Sequence, residues 1–217
     1  RRVNETALHV TGASRPYEIA HPADPDAVLD ELDSPEPHMP YWATLWPSGL
    51  ALAEVALARR ESVTGRAVLE LGCGLGTTAT ALAECDARVS GADCFAEALA
   101  FARYNVARNT GRNLHPLRLD WRTADGRRQL GEIPADLIVA ADVLYEADDL
   151  QPLLELGERM LRRGTAFWLA EPGRATSSRF VEQASAYGWR SQMVVIEHDW
   201  PAVVGTATVR VHLFEPH

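Results

Sequence analysis

The chain has 217 residues, the size of one complete α/β domain, with 47% hydrophobic and 24% charged residues; that balance supplies one large core and excludes both a mini-protein and global disorder. Its 30 acids against 21 bases give a net charge of −9, which repels a nucleic acid unless a local basic patch offsets it, and the sequence shows no such patch. Every basic residue is Arg, because Lys is absent.

Cys73, Cys85 and Cys94 form no even framework and no C-x-x-C pair, so free thiols and a cytoplasmic setting are expected. Apolar stretches fall far short of the ~18 residues that span a bilayer, so no membrane association is expected. Arg1 to Thr11 lack a signal peptide's apolar run, and the start at Arg1 rather than Met carries the expectation of a missing extreme N-terminus.

In chain order, residues 1–40 come first. Seven of the 13 prolines fall by Pro47, and residues 21–40 carry Asp24, Asp26, Asp30, Glu31, Asp33 and Glu36 without a base. This reads as an irregular acidic N-terminal segment, either a solvated linker or a lid that attracts a cationic substrate. The main domain is assigned to residues 41–217, with its first helix from Ser48 to Arg59. Strands are then expected at Arg66 to Leu71, Ala87 to Ala92, Leu114 to Leu119, Ala135 to Ala141 and Thr165 to Ala170, with helices between them, the pattern of a parallel sheet covered by helices. Phe95, Ala98, Leu99, Ala102 and Val106 form one apolar helical stripe, and Leu150, Leu153, Leu154, Gly157 and Leu161 form another. Met193 to Ile196 and Thr206 to Phe214 are joined by a connection too short for a helical crossover and should pair antiparallel. No repeat or low-complexity segment interrupts this order.

Chemistry concentrates where the first of these strands ends. Val68 to Leu71 runs into Gly72-Cys73-Gly74-Leu75-Gly76 and then an Ala-rich helix. Glycines there admit a ligand close to the backbone, and the helix offers free N–H groups. The dinucleotide fingerprint would need glycine at Thr77, which disfavours NAD. Asp93 follows the second strand, 21 residues beyond Gly72, where a carboxylate can accept both ribose hydroxyls of an adenosine; the plainer reading is a helix cap. Glu70, an acid that would repel a pyrophosphate, suits an ammonium group instead. A nucleoside bearing an amino acid satisfies all three observations.

These residues resemble the seven-β-strand S-adenosylmethionine-dependent methyltransferases. Five patches resemble more narrowly the family 16 protein methyltransferases that act on lysines of the electron transfer flavoprotein β-subunit: Pro40-Tyr41-Trp42-Ala43 with Trp46-Pro47-Ser48-Gly49, Glu70 to Gly74, Leu119-Asp120-Trp121, Asp142-Val143-Leu144-Tyr145, and Glu171-Pro172-Gly173-Arg174. The resemblance implies an α/β fold with a Rossmann-like, seven-stranded, mostly parallel sheet, a C-terminal antiparallel hairpin and helices on both faces. It implies S-adenosylmethionine as cofactor and S-adenosylhomocysteine as product. Trp46 would lie beside the methionine end, Gly72, Cys73, Gly74 and Ala141 would line the cofactor, Asp93 would hold the ribose, and Asp120 and Trp121 would contact adenine. Trp121 as a plug of the sheet edge and Trp46 as a core anchor are the plainer alternatives. Asp142 and Tyr145 would orient the acceptor as the catalytic pair, Asp142 as a helix or loop cap being the plainer alternative; Arg174 could pair with Asp142, with a substrate acid, or, as an exposed arginine, with nothing.

The seven histidines show no metal-ligand spacing, and no G-x-S-x-G or Walker sequence appears. Asn-Pro-Pro-Tyr, which the resemblance associates with adenine and glutamine acceptors, is replaced by Ala141-Asp142-Val143-Leu144. The leading expectation is therefore a protein lysine methyltransferase whose acidic rim complements a lysine-bearing partner, an electron transfer flavoprotein β-subunit-like protein among them. A small-molecule N- or O-methyltransferase, a non-catalytic nucleoside-binding module and, more remotely, a dehydrogenase stay open.

Overall fold

Alternation along the central strands determines which side chains can reach a ligand. In β3 (Ala67–Leu71), Val68 faces one core while Leu69 and Leu71 face the other; in β6 (Leu137–Ala141), Leu137 and Val139 oppose Ile138 and Ala140. Strands buried on both faces read as continuous apolar runs and need helices on both sides. The computed structural model describes residues 2–30, 40–162, 164–200 and 205–215 and supplies that arrangement. Its sheet runs in the order β5-β4-β3-β6-β7-β9-β8, with β4 (Arg88–Asp93), β5 (His115–Arg118), β7 (Ala166–Glu171), β8 (Ser191–Trp200) and β9 (Gly205–Phe214). The first five strands in that order are parallel, and β9 and β8 add antiparallel.

One face packs on α2 (Pro47–Ala58), the short α3 (Arg60–Val63), α4 (Thr77–Glu84) and α5 (Ala96–Thr110), and the other on α6 (Ala124–Leu130), α7 (Leu150–Leu161) and α8 (Ala175–Ala186). The parallel strands lie within two residues of their expected limits, and β8 is longer than expected at both ends. Both apolar stripes are buried except for Phe95, which is partly buried against the first core. Gly111, at φ 69°, ends α5 in the left-handed conformation that helix C-termini favour. Among the described residues no helix is long and apolar enough to cross a membrane.

The N-terminal segment differs from the irregular stretch expected over residues 1–40. β1 (Val3–Leu8) and β2 (Tyr17–Pro22) form an antiparallel hairpin, and α1 (Asp26–Asp30) follows. The reason lies on α5, one turn apart. Asn105 exchanges hydrogen bonds with the Ala20 backbone at 2.8 and 2.9 Å, while Asn109 does so with Glu18 at 2.9 and 3.0 Å. Two amide side chains thus give β2 the ladder that a neighbouring strand would provide. Tyr17 donates to Glu84 at 2.7 Å and seats the hairpin loop on α4. Glu31, Asp33 and Glu36 of the expected acidic run lie outside the described residues.

Asn105 is fully buried and also donates to the Leu75 carbonyl in the glycine turn at 2.9 Å. Asn105→Ala orphans those backbone groups and should cost about 2 to 4 kcal/mol in urea unfolding. Hydrogen exchange should rise first at the Ala20 amide, which loses its acceptor; a variant as stable as the parent would show that water replaces the side chain without loss.

Candidate active site

Strand order reverses at β3, which is followed in sequence by β4 on one side and flanked by β6 on the other. At such a switch the chain leaves in opposite directions and a crevice opens beyond the carboxyl ends of the strands. The connection from β3 to α4 fills its floor with Gly72, Gly74 and Gly76 at φ 63°, 49° and 76°, a conformation that costs glycine little. The three are not equivalent. A Cβ on Gly76 would lie 2.8 Å from the Ala102 Cα, so this glycine lets α4 and α5 touch; one on Gly74 would meet only the Trp42 backbone, at 3.6 Å.

Asp93 ends β4 and is almost fully buried. Its carboxylate accepts from the Gly74 and Phe95 amides, each at 3.0 Å, so it braces the glycine turn and caps the entry to α5 together. Burial raises its pKa against the pull of those amides. Glu70 points beneath α4 and is 3% exposed; its Oε2 has no hydrogen-bond partner among the described residues. Burial pushes its carboxyl up to about 8, against hydrogen bonds from Thr78 and Ala79, and the nearby Asp93 charge adds to the rise. Glu70 also lines the cleft, and a ligand cation that reached this carboxyl would complete its unpartnered oxygen.

The mouth is built at the end of β6. Asp142 adopts φ 54°, unusual outside glycine though tolerated by Asp, and its amide donates to the Ala170 carbonyl of β7 at 2.9 Å. This turn keeps its carboxylate at the sheet edge, where Arg174, the N-cap residue of α8, donates to both oxygens at 2.8 and 3.2 Å. The side chains are 7% and 39% exposed respectively, so the pair is half sheltered. Tyr145 accepts from Arg122 at 2.8 Å, and burial raises its phenol to about 12 in spite of that guanidinium. Tyr41 stands edge-on to both Tyr145 and Trp46, with ring centroids 5.2 and 6.0 Å apart.

All eleven residues singled out from the sequence line this one cleft: Trp46, Glu70, Gly72, Cys73, Gly74, Asp93, Asp120, Trp121, Ala141, Asp142 and Tyr145. Trp46 is no core anchor; it is 36% exposed and its indole donates to the Tyr41 carbonyl at 2.8 Å. Trp121 is buried in the second core and borders the cleft as well. Asp120 Oδ1 is engaged by the Arg122 amide and Nε at 3.0 and 2.9 Å.

Arg122 is the residue sequence reasoning missed. Burial disfavours its charge, but Asp120 and Tyr145 restore it, and the guanidinium also lies 3.7 Å from buried Asp149 and over the Trp121 ring. One side chain therefore ties the loop after β5 to the loop after β6. An isolated Arg after Asp-Trp gives no sequence signal of such a role.

The sheet order and the cleft at its switch point are those of a Rossmann-like fold. The seven-stranded architecture matches a T. thermophilus 16S rRNA methyltransferase determined in complex with AdoMet and guanosine, with TM-score 0.65 and 20% identity over 100% of this chain and 51% of that one; at that identity the likeness concerns the fold alone. A family model described as lysine methyltransferase matches residues 41–186, and the chain belongs to that family. Among curated proteins it is 37% identical over 145 residues to the electron transfer flavoprotein beta subunit lysine methyltransferase of Danio rerio, covering 63% of this chain and 51% of the relative. Its identity to the Xenopus laevis protein of the same name is 36% over 146 residues, covering 64% and 55%. The chain thus spans about half the length of the curated relatives it matches.

The raised Glu70 pKa has a thermodynamic consequence. Between its unfolded value of about 4.3 and its folded value of about 8, the folded state holds the proton more tightly, so this group's stabilisation fades as pH rises through that window. Glu70→Gln lacks the titration. Its stability relative to the parent, from urea unfolding without ligand, should increase steadily from pH 5 to pH 8.5; a constant difference would mean that Glu70 is ionised throughout.

Proposed function

We propose that this chain transfers a methyl group from S-adenosylmethionine directly to the side-chain amine of a protein lysine, and that its acceptor is an electron transfer flavoprotein β-subunit-like protein. The observation that carries the reading is the pairing, within one cleft, of an unpartnered buried carboxylate oxygen on Glu70 with a carboxylate and a phenol at the mouth, on Asp142 and Tyr145. The family membership and the relatives' names support the same acceptor class. The net charge of −9 favours a lysine-bearing protein surface over nucleic acid. Buried Cys73 and Cys85, and Cys94 with its thiol pushed up to about 12 by burial, are stable as free thiols and suit a cytoplasmic protein.

The residues present fit the cofactor. Glu70 would take its ammonium, and the backbone at Gly72, Cys73, Gly74 and Ala141 would pass along it. A Cβ on Gly72 would come within 3.1 Å of Val143 and narrow that path. Asp93 retains further lone pairs for ribose hydroxyls, Trp121 offers an apolar flat face to adenine, Asp120 an acceptor, and Trp46 covers the methionine end. When bound, S-adenosylmethionine supplies an electrophilic methyl on a sulfonium, and the chief demand on the protein is near-attack alignment. Asp142 and Tyr145 meet that demand by orienting the incoming amine through hydrogen bonds. Tyr145 stays a phenol, with Arg122 fixing its oxygen.

Tritiated cofactor incubated with purified electron transfer flavoprotein β-subunit and with size-fractionated cell extract tests the assignment. Label should appear in a discrete protein band and survive as methyl-lysine on hydrolysis. Label confined to small molecules would establish a small-molecule methyltransferase instead, and absence of turnover a binding module. At pH 7 calorimetry of S-adenosylhomocysteine in buffers of different ionisation enthalpy should reveal proton release, because an ammonium beside Glu70 ionises it; Glu70→Gln should bind without that release. Asp93→Ala should weaken S-adenosylhomocysteine binding by about 1 to 3 kcal/mol, whereas Asp142→Ala should lower kcat and leave that affinity nearly intact. Equal losses in both variants would merge the two roles.

A further inference from the structure

The attacking amine poses an electrostatic problem at this mouth. A lysine ammonium has an ordinary pKa of about 10.4, and only its neutral form carries the lone pair that attacks. A bare carboxylate within a few ångströms would favour the ammonium and raise that pKa by about 1 to 3 units, suppressing the reactive form near neutrality. Asp142 is not bare. Arg174 donates to both of its oxygens, and this hydrogen bonding, with Asp142's charge, raises the guanidinium's own pKa against its partial burial.

We propose that Arg174 is a positioning residue that balances the charge of Asp142, so that the carboxylate can orient the acceptor amine without holding it in its protonated form. The inference rests on the lysine reading above and deepens it. Geometry supports it at three points. The Asp142 backbone is fixed by its left-handed turn and by the bond from its amide to Ala170, which keeps its side chain at the sheet edge beside Arg174. Arg174 is held at the N-cap of α8, directly after β7, on the same sheet edge. Its guanidinium is part exposed, which leaves room for an incoming side chain beside the pair.

Other charged and titratable groups stand around the pair. Tyr41 of the segment before α2 and Tyr145 after β6 are phenols, and Arg122 stands behind Tyr145. Glu171 at the end of β7 faces His212 at 3.5 Å and Arg210 at 3.7 Å on β9, and accepts from the Gly173 amide. Glu70 and Asp93 lie on the floor of the cleft with the cofactor-lining turn. The chemistry balances as a displacement: the amine nitrogen forms the new bond to carbon, the carbon–sulfur pair departs onto sulfur, and the proton shed beforehand goes to solvent.

The test compares the unaltered chain with Arg174→Gln and with the double variant Asp142→Asn/Arg174→Gln, using the acceptor protein labelled in the tritium experiment. The pH profile of kcat reports the amine's pKa in the bound complex. In Arg174→Gln its rising limb should move up by about one unit, an approximately tenfold loss at neutral pH that vanishes at high pH. KM for the acceptor protein should fall, as should its Kd measured with S-adenosylhomocysteine in place of the methyl donor. The double variant should return the limb to its parental position, because no bare carboxylate remains. A limb that stays in place in Arg174→Gln, or a loss of kcat equal at every pH, would overturn the inference while leaving the lysine assignment intact. Failure of the unaltered chain to label any protein would overturn both.

Discussion

The turn from β3 into α4 is the constraint from which the rest of the molecule is built. Three glycines in left-handed conformation carry the chain from a buried strand to a buried helix without side chains in the way. Each neighbour then has one place to be. Gly76 sets the contact of α4 with α5 through Ala102, Asp93 accepts the Gly74 amide, and Asn105 accepts one hydrogen bond from the hairpin and gives one to the turn at Leu75. The backbone is thereby pinned from both sides while its cleft-facing surface stays open. Preorganisation of this kind removes an ordering cost that binding would otherwise incur.

The cleft also sorts its acids by depth. On the floor, Glu70 is isolated from donors at one oxygen and has its proton affinity raised by burial. Above it, Asp93 accepts one backbone hydrogen bond at each oxygen and so ties the glycine turn to the entry of α5. At the rim, Asp142 is matched by Arg174. Three of the four carboxylates that line the crevice therefore present three different fields, and neither residue type nor net charge distinguishes them. Only burial and partners do.

This distinction explains what the sequence made legible. Apolar runs and stripes located the strands and helices because burial on two faces leaves a periodic trace, and glycine followed by an acid after the next strand located the floor of the site. The hairpin over Val3 to Pro22 was obscured because its ladder is completed by Asn105 and Asn109, side chains more than 80 residues away with no strand pattern of their own. Arg122 was hidden for a related reason. Its importance comes from reaching Asp120, Tyr145 and Asp149 together, on two loops whose approach is fixed only by the sheet. Local chemistry is readable along a chain, whereas convergence is a property of the fold.

The absence of Lys from the 217 residues takes on a second meaning in this light. Under the proposed lysine acceptor that absence is chemically consequential. An Arg at position 174 remains charged across the working pH range, so it matches Asp142 without titrating beside an incoming amine. A Lys there would be a competing acceptor, tethered beside the carboxylate at high effective concentration. The same argument extends over the surface, where a chain without Lys offers no side-chain amine to its own site or to a second copy. Label found in a lysine therefore identifies a separate acceptor, and the guanidinium at the rim can balance charge without ever being consumed as substrate.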